Sequence, residues 1–165
     1  ATSPFVFIQK MGLTGLGYGS LLACSSLSYL SGTFFCRWLL RRQALHRAAA
    51  WAGLISFTGA WLGVAGAALL TPTWWSLAVP IMIMIFAHGI HQPIGQSASI
   101  APFPREAGTA SALNGFAMMV AAFVMGQWLG MRFDGSIDLL VNGLAFWGSA
   151  LAIVCWTGVQ RHGRL

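Results

Sequence analysis

Acidic residues are almost missing from this chain. Glu106, Asp134 and Asp138 are the three acids in 165 residues, and all charged types together make 7% of the sequence. A soluble domain ordinarily carries about a quarter charged residues, so this chain has too little polar surface to coat a globule in water. Cysteine is also scarce and scattered. Cys24, Cys36 and Cys155 form no CxxC pair and no disulfide framework, and read as reduced packing residues. No Ser–His–Asp order or nucleophile elbow is present, so no enzymatic function is expected. Ten-residue alternating patterns are absent, which leaves helices as the spanning form. The formal charge is +6, but no aromatic-interleaved basic patch supports a nucleic-acid partner.

What is present is apolar. Hydrophobic residues make 57% of the chain, gathered in five runs at about 15–40, 48–70, 74–101, 108–129 and 139–159. Each is long enough to cross a bilayer, which takes roughly 20 residues. Residues 1–9 are apolar but too short to span. They are expected to be the tail of a helix whose start precedes residue 1, with a processed or tagged terminus as the alternative. The connections are short, so the lipid bilayer is the expected environment and no soluble domain is inserted.

The basic residues fall unevenly. Arg37, Arg41, Arg42, Arg47, Arg105, Arg161 and Arg164 lie on one side if the spans alternate, against Lys10 and Arg132 on the other, where Asp134 and Asp138 also lie. The positive-inside rule then predicts a cytoplasmic C-terminus. Trp74, Trp75 and Trp128 fall near the outer interface and Trp38, Trp51 and Trp156 near the inner one, the pattern of aromatic belts.

Polar residues concentrate in particular runs. The second and fifth are bland, and are expected to face lipid or support the others. The first carries Ser20, Ser25, Ser26, Ser28, Tyr29 and Ser31, and the fourth carries Asn114 and Gln127. In the third, His88, His91, Gln92, Gly95, Gln96 and Ser99 follow steps of three and four and share one helical stripe. A stripe of that kind fits a wet cavity wall, or alternatively interhelical hydrogen bonds that hold a bundle together. Pro93 frees the carbonyl of Gly89 and favours a kink beside the stripe. His88 and His91 alone do not complete a zinc site, so no metal or cofactor is expected. In the fourth run, Gly108, Ser111, Ala112 and Gly115 give small residues at one-turn spacing, which lets helices approach closely, and Met118 and Met119 add adaptable apolar surface.

Three stretches carry a resemblance. SPFVFIQKMGLTGLGYGSL, FFCRWLLRR and above all APFPREAGTASALNGF resemble the drug–proton antiporters of the major facilitator superfamily, in the bicyclomycin and chloramphenicol resistance branch. The resemblance implies an all-α fold, the C-terminal six-helix half of such a transporter. Residues 1–9 would end its seventh helix and the five runs would be helices eight to twelve. It implies multidrug efflux by proton exchange and hence antibiotic resistance, with an N-terminal half, a small-molecule drug and protons as partners. His88, His91, Gln92, Gln96, Asn114 and Met118 would line the substrate cavity. Gly32, Arg37, Arg41 and Arg42 would form a degenerate cytoplasmic loop motif, in which Cys36 stands where an acid is expected. A complete five-span scaffold or subunit without transport activity is the alternative function.

Overall fold

The computed structural model describes residues 4–69, 73–132 and 136–162. Residues 1–3, the end of the second run at Leu70, Asp134 and Arg164 lie outside the described residues. The fold is all α. A short π-helical segment, Phe5–Lys10, precedes α1 (Gly15–Arg42), α2 (Leu45–Leu69), α3 (Trp74–Ile100), α4 (Ala107–Arg132) and α5 (Asp138–Ile153). The last helix continues through a π-helical stretch, Val154–Gly158, into a final turn, Val159–His162 (α6).

The helix ends follow local chemistry. Thr14 caps α1, its hydroxyl accepting from the Gly17 N–H at 3.1 Å. At the start of α3, the Ser76 hydroxyl donates to the Thr73 carbonyl at 2.7 Å and accepts from the Thr73 N–H at 3.3 Å. Pro102 and Pro104 follow α3 directly and cannot continue it. Between α1 and α2 only Gln43 and Ala44 are left, so Arg41 and Arg42 belong to the last turn of α1, where cations suit the helix dipole.

Helices α2, α3, α4 and the α5–α6 helix are long and apolar enough to cross a membrane. At 28 residues α1 is long enough, roughly 42 Å at 1.5 Å per residue, but its serines and glycines make it less apolar than the others. The outward surface fits lipid. Leu16, Phe34, Leu113, Phe116, Phe123 and Phe146 are exposed, as are all six tryptophans of the two expected belts. The chain is a multi-pass membrane protein.

Chain order and spatial order differ. Helix α3 packs on α1, α2 packs between α3 and α5, and α1 and α2 barely touch although two residues join them. Two apolar clusters close the ends of this row. Cys36, Leu39, Ala48, Ala52, Ile90 and Ile94 meet at one end, and Val6, Phe7, Leu77, Ala78 and Val141 at the other. The N-terminal segment therefore contributes buried side chains to the second cluster. The ends of α1 and α3 and the start of α2 gather at the first.

Between the clusters the helices touch through glycine. A Cβ at Gly32 would strike the Phe86 carbonyl, and one at Gly89 would strike the Tyr29 carbonyl, so α1 and α3 cross backbone to backbone. A Cβ at Gly148 would meet Ala60, and one at Gly53 would lie 2.9 Å from Cys155 Cβ. The close approaches expected on α4 are not made in this chain. Around Gly108 and Gly115 an added Cβ meets nothing within 4 Å, and α4 has no buried residue. The small-residue spacing there is real, but among the described residues no helix lies against Gly108 or Gly115.

Candidate functional site

The polar residues of α1 come first, because they look expensive in a membrane. Four of its serines are satisfied inside their own helix. Ser20, Ser25, Ser26 and Ser31 donate to the carbonyls four residues back at 2.8–3.1 Å. Serines of this kind need no cavity. Three further polar groups of α1 reach α3. Ser28 donates to the Met82 carbonyl at 2.8 Å, and the Tyr29 hydroxyl donates to Gln92 Oε1 at 3.3 Å. The Thr33 hydroxyl lies 3.1 Å from the Tyr29 carbonyl and 3.3 Å from that of Gly89.

The Thr33 contact explains how Pro93 is tolerated. Proline at position 93 leaves the Gly89 carbonyl without its usual helical donor. A freed carbonyl in lipid must find another partner, and the Thr33 hydroxyl supplies it from the neighbouring helix. The same α1–α3 crossing that excludes a side chain at Gly32 and Gly89 brings that hydroxyl within reach.

The α3 stripe does not face one way. His91 turns toward α2 and α5. Its Nε2 lies 3.0 Å from Ser56 Oγ, and its Nδ1 lies 3.7 Å from Cys155 Sγ. Ser56 and Cys155 are both buried. His91 is thus an internal tie among three helices, one turn from the glycine contacts of Gly53. His88 and Gln92 turn toward α1. The His88 ring is exposed and sits 6.0 Å from the Tyr29 ring, centroid to centroid, while Gln92 is half-buried under the Tyr29 hydroxyl. Gly95, Gln96 and Ser99 continue down α3 as exposed positions.

The structure therefore brings His88 and Gln92 together with Tyr29, with Gln96 one turn further along. It sets His91 apart from them. On α4, Asn114 is half-exposed and Met118 exposed, on a helix that touches α3 only lightly. Tyr29 was missed as a member of this group. Its position on α1 beside a run of serines was the available signal. Among the described residues no three His, Cys, Asp or Glu side chains gather to hold a metal.

A cavity of about 680 Å³ lies elsewhere, between α4 and α5, with Met84 of α3 on its wall. Trp128, Phe146 and Trp147 line it, and Asn142 is its one amide. None of the six residues expected to line a substrate cavity borders it. Gly32, Arg37, Arg41 and Arg42 all lie within α1, not in a loop. Gly32 is buried at the crossing, and the Arg42 guanidinium rests 4.8 Å above the Trp38 ring.

No family model matches the chain, and no solved structure matches it. One curated relative gives the comparison its content. Multidrug resistance protein D of Escherichia coli (strain K12) is 31% identical over 108 residues, which is 64% of this chain. The chain covers 25% of that protein's length.

Proposed function

We propose that this chain is part of a drug-efflux transporter of the major facilitator superfamily, its C-terminal half, exporting small amphipathic compounds in exchange for protons. The group of Tyr29, His88 and Gln92, in which His88 is exposed, carries the proposal. His88 is the fifteenth of the 27 residues of α3, near mid-membrane, yet its ring is open to the surroundings. An imidazole facing hydrocarbon there is costly, so that face is best explained by protein or water opposite it. In transporters built from two repeats, the substrate site lies near the midplane between the repeats. The likeness to a protein named for multidrug resistance supports the same reading. In the proposed orientation, the end bearing Arg37, Arg41, Arg42, Arg47, Arg105 and Arg161 faces the cytoplasm of a cell with an inner membrane.

The test is thiol accessibility in the whole protein, on a background without native cysteines. Single cysteines at His88, Gln92 and Gln96 are expected to react readily with a small polar thiol reagent, and a bound drug is expected to protect them. A cysteine at Leu62, on the exposed face of α2, is expected to react slowly. Equal inertness at all four positions would refute the cavity reading.

A further inference from the structure

A second crevice lies away from the α1–α3 face, at the end of the bundle where the arginines gather. It has a volume of about 440 Å³, between the start of α2 and the end of α5–α6. Its walls are of two kinds. Gln43, Arg47 and Gln160 form a polar rim, and Trp51, Leu54 and Trp156 an apolar floor.

The floor is held in place from both helices. Trp156 Nε1 donates to the Ala50 carbonyl at 3.1 Å, which pins the indole against α2. Gln160 Nε2 donates to the His46 carbonyl at 2.7 Å and to the Cys155 carbonyl at 3.2 Å. Both amide hydrogens of Gln160 are thereby used inward, leaving its Oε1 as an acceptor. Arg47 is exposed at the rim. Trp51 and Leu54 lie four and seven residues further along α2, roughly 6 and 10 Å deeper at 1.5 Å per residue. A cation thus stands at the membrane surface above a greasy slot that runs into the bilayer.

The charge balance at this end is one-sided. Arg37, Arg41, Arg42, Arg47, Arg105 and Arg161 stand against Glu106, the one described carboxylate there. Such an end attracts anions, and basic pockets between membrane helices take phospholipid headgroups.

We propose that this crevice binds an anionic glycerophospholipid of the bilayer. The phosphate sits on Arg47, headgroup hydroxyls donate to Gln160 Oε1 and hydrogen-bond with Gln43, and an acyl chain lies along Trp51, Leu54 and Trp156. The apolar floor selects a lipid over a free anion, because inorganic phosphate has nothing to place there. The site is separate from the Tyr29–His88–Gln92 face and does not depend on the transport reading.

Native mass spectrometry of the whole protein, purified in neutral detergent, tests this. The probes are dioleoyl phosphatidylglycerol, dioleoyl phosphatidylcholine and inorganic phosphate. The tightest-bound lipid is expected to be phosphatidylglycerol, undisturbed by millimolar inorganic phosphate. Arg47→Gln is expected to weaken it about fivefold, the share of one arginine near a membrane surface. Arg47→Lys keeps most of the binding, and Arg132→Gln, at the opposite end, leaves it unchanged. Should Arg47→Gln not fold, Trp51→Ala, which keeps every charge, is expected to weaken phosphatidylglycerol several-fold. Undiminished binding in Arg47→Gln or in Trp51→Ala, or displacement of the lipid by inorganic phosphate, would overturn the proposal.

Discussion

Helices α2 and α4 are near twins in composition. Both are rich in alanine and glycine, they have 25 and 26 residues, and both have a mean hydropathy of 1.5 over their most apolar stretch. Yet a third of that stretch is buried in α2 and none of it in α4. The difference lies in what stands opposite. Helix α2 meets α3 on one side and α5 on the other, and spends its small residues on those contacts: Ala48, Ala52, Gly53, Ser56, Gly59, Ala60 and Gly63 are buried. Helix α4 has the same kind of face, but among the described residues it touches α3 only lightly and buries none of its own. Small residues permit a close approach between helices in a membrane, where packing replaces the hydrophobic drive. They do not create the partner.

Substitutions that add bulk test this contrast most severely. Gly148→Leu and Gly32→Ala drive carbon into backbone or side-chain atoms of the facing helix. Each is expected to destabilise the fold by about 3 kcal/mol or more, at the upper end for overpacking. Gly115→Ala and Gly126→Ala, where a Cβ meets nothing, are expected to cost nothing and to gain up to about 1 kcal/mol in helix propensity. Reversible unfolding in mixed detergent micelles measures both. Equal losses in the two pairs would show that α4 is packed as tightly as the glycine crossings of the other helices.

The two histidines make a smaller and sharper contrast. His91→Ala strands the hydroxyl of Ser56, 1% exposed, and is expected to cost about 2 kcal/mol, the penalty of an unpartnered buried polar group. His88→Ala removes an exposed ring and is expected to change stability by less than about 0.5 kcal/mol. If the proposed cavity is right, His88→Ala lowers drug efflux all the same. Loss of stability without loss of efflux in His88→Ala would reverse the roles assigned to the pair.

Thr33→Val is next. It keeps the shape of the side chain and removes the donor to the Gly89 carbonyl beside Pro93, for an expected cost of about 1 kcal/mol. In a Pro93→Ala background the Gly89 carbonyl recovers a helical N–H donor, so most of that cost is expected to vanish. The smallest effect belongs to the serines that bond within α1. Ser20→Ala and Ser31→Ala are expected to fall within about 0.5 kcal/mol of the parent.

Much of this molecule was legible in its residues. The apolar runs follow from composition, and the described helices lie along them. The α3 stripe was legible only in part. Helical spacing put His88 and His91 on neighbouring positions of one arc, about 60° apart at 100° per residue. That angle is small in the sequence but decisive in the bundle, since α3 has α1 on one flank and α2 with α5 on the other. His91 turns to the second flank and Gln92 to the first. A hydroxyl in a membrane must be satisfied, which by residue type alone would set the serines of α1 against protein or water. Four of them are satisfied by the carbonyl one turn back, a solution that side-chain type alone does not reveal.

Composition and spacing by themselves determined that this chain is helical, that it belongs in a membrane and that its positive charge gathers at one end. These follow from the cost of placing backbone and charge in hydrocarbon, which every residue meets on its own. Only the tertiary structure decided which glycines are contacts, which histidine is a tie and which helix is left uncovered. Those depend on the rotation of each helix about its axis and on the identity of its neighbour. Helix α2 found its neighbours in α3 and α5, which follow it in the chain, while α1, two residues before it, packs mainly on α3.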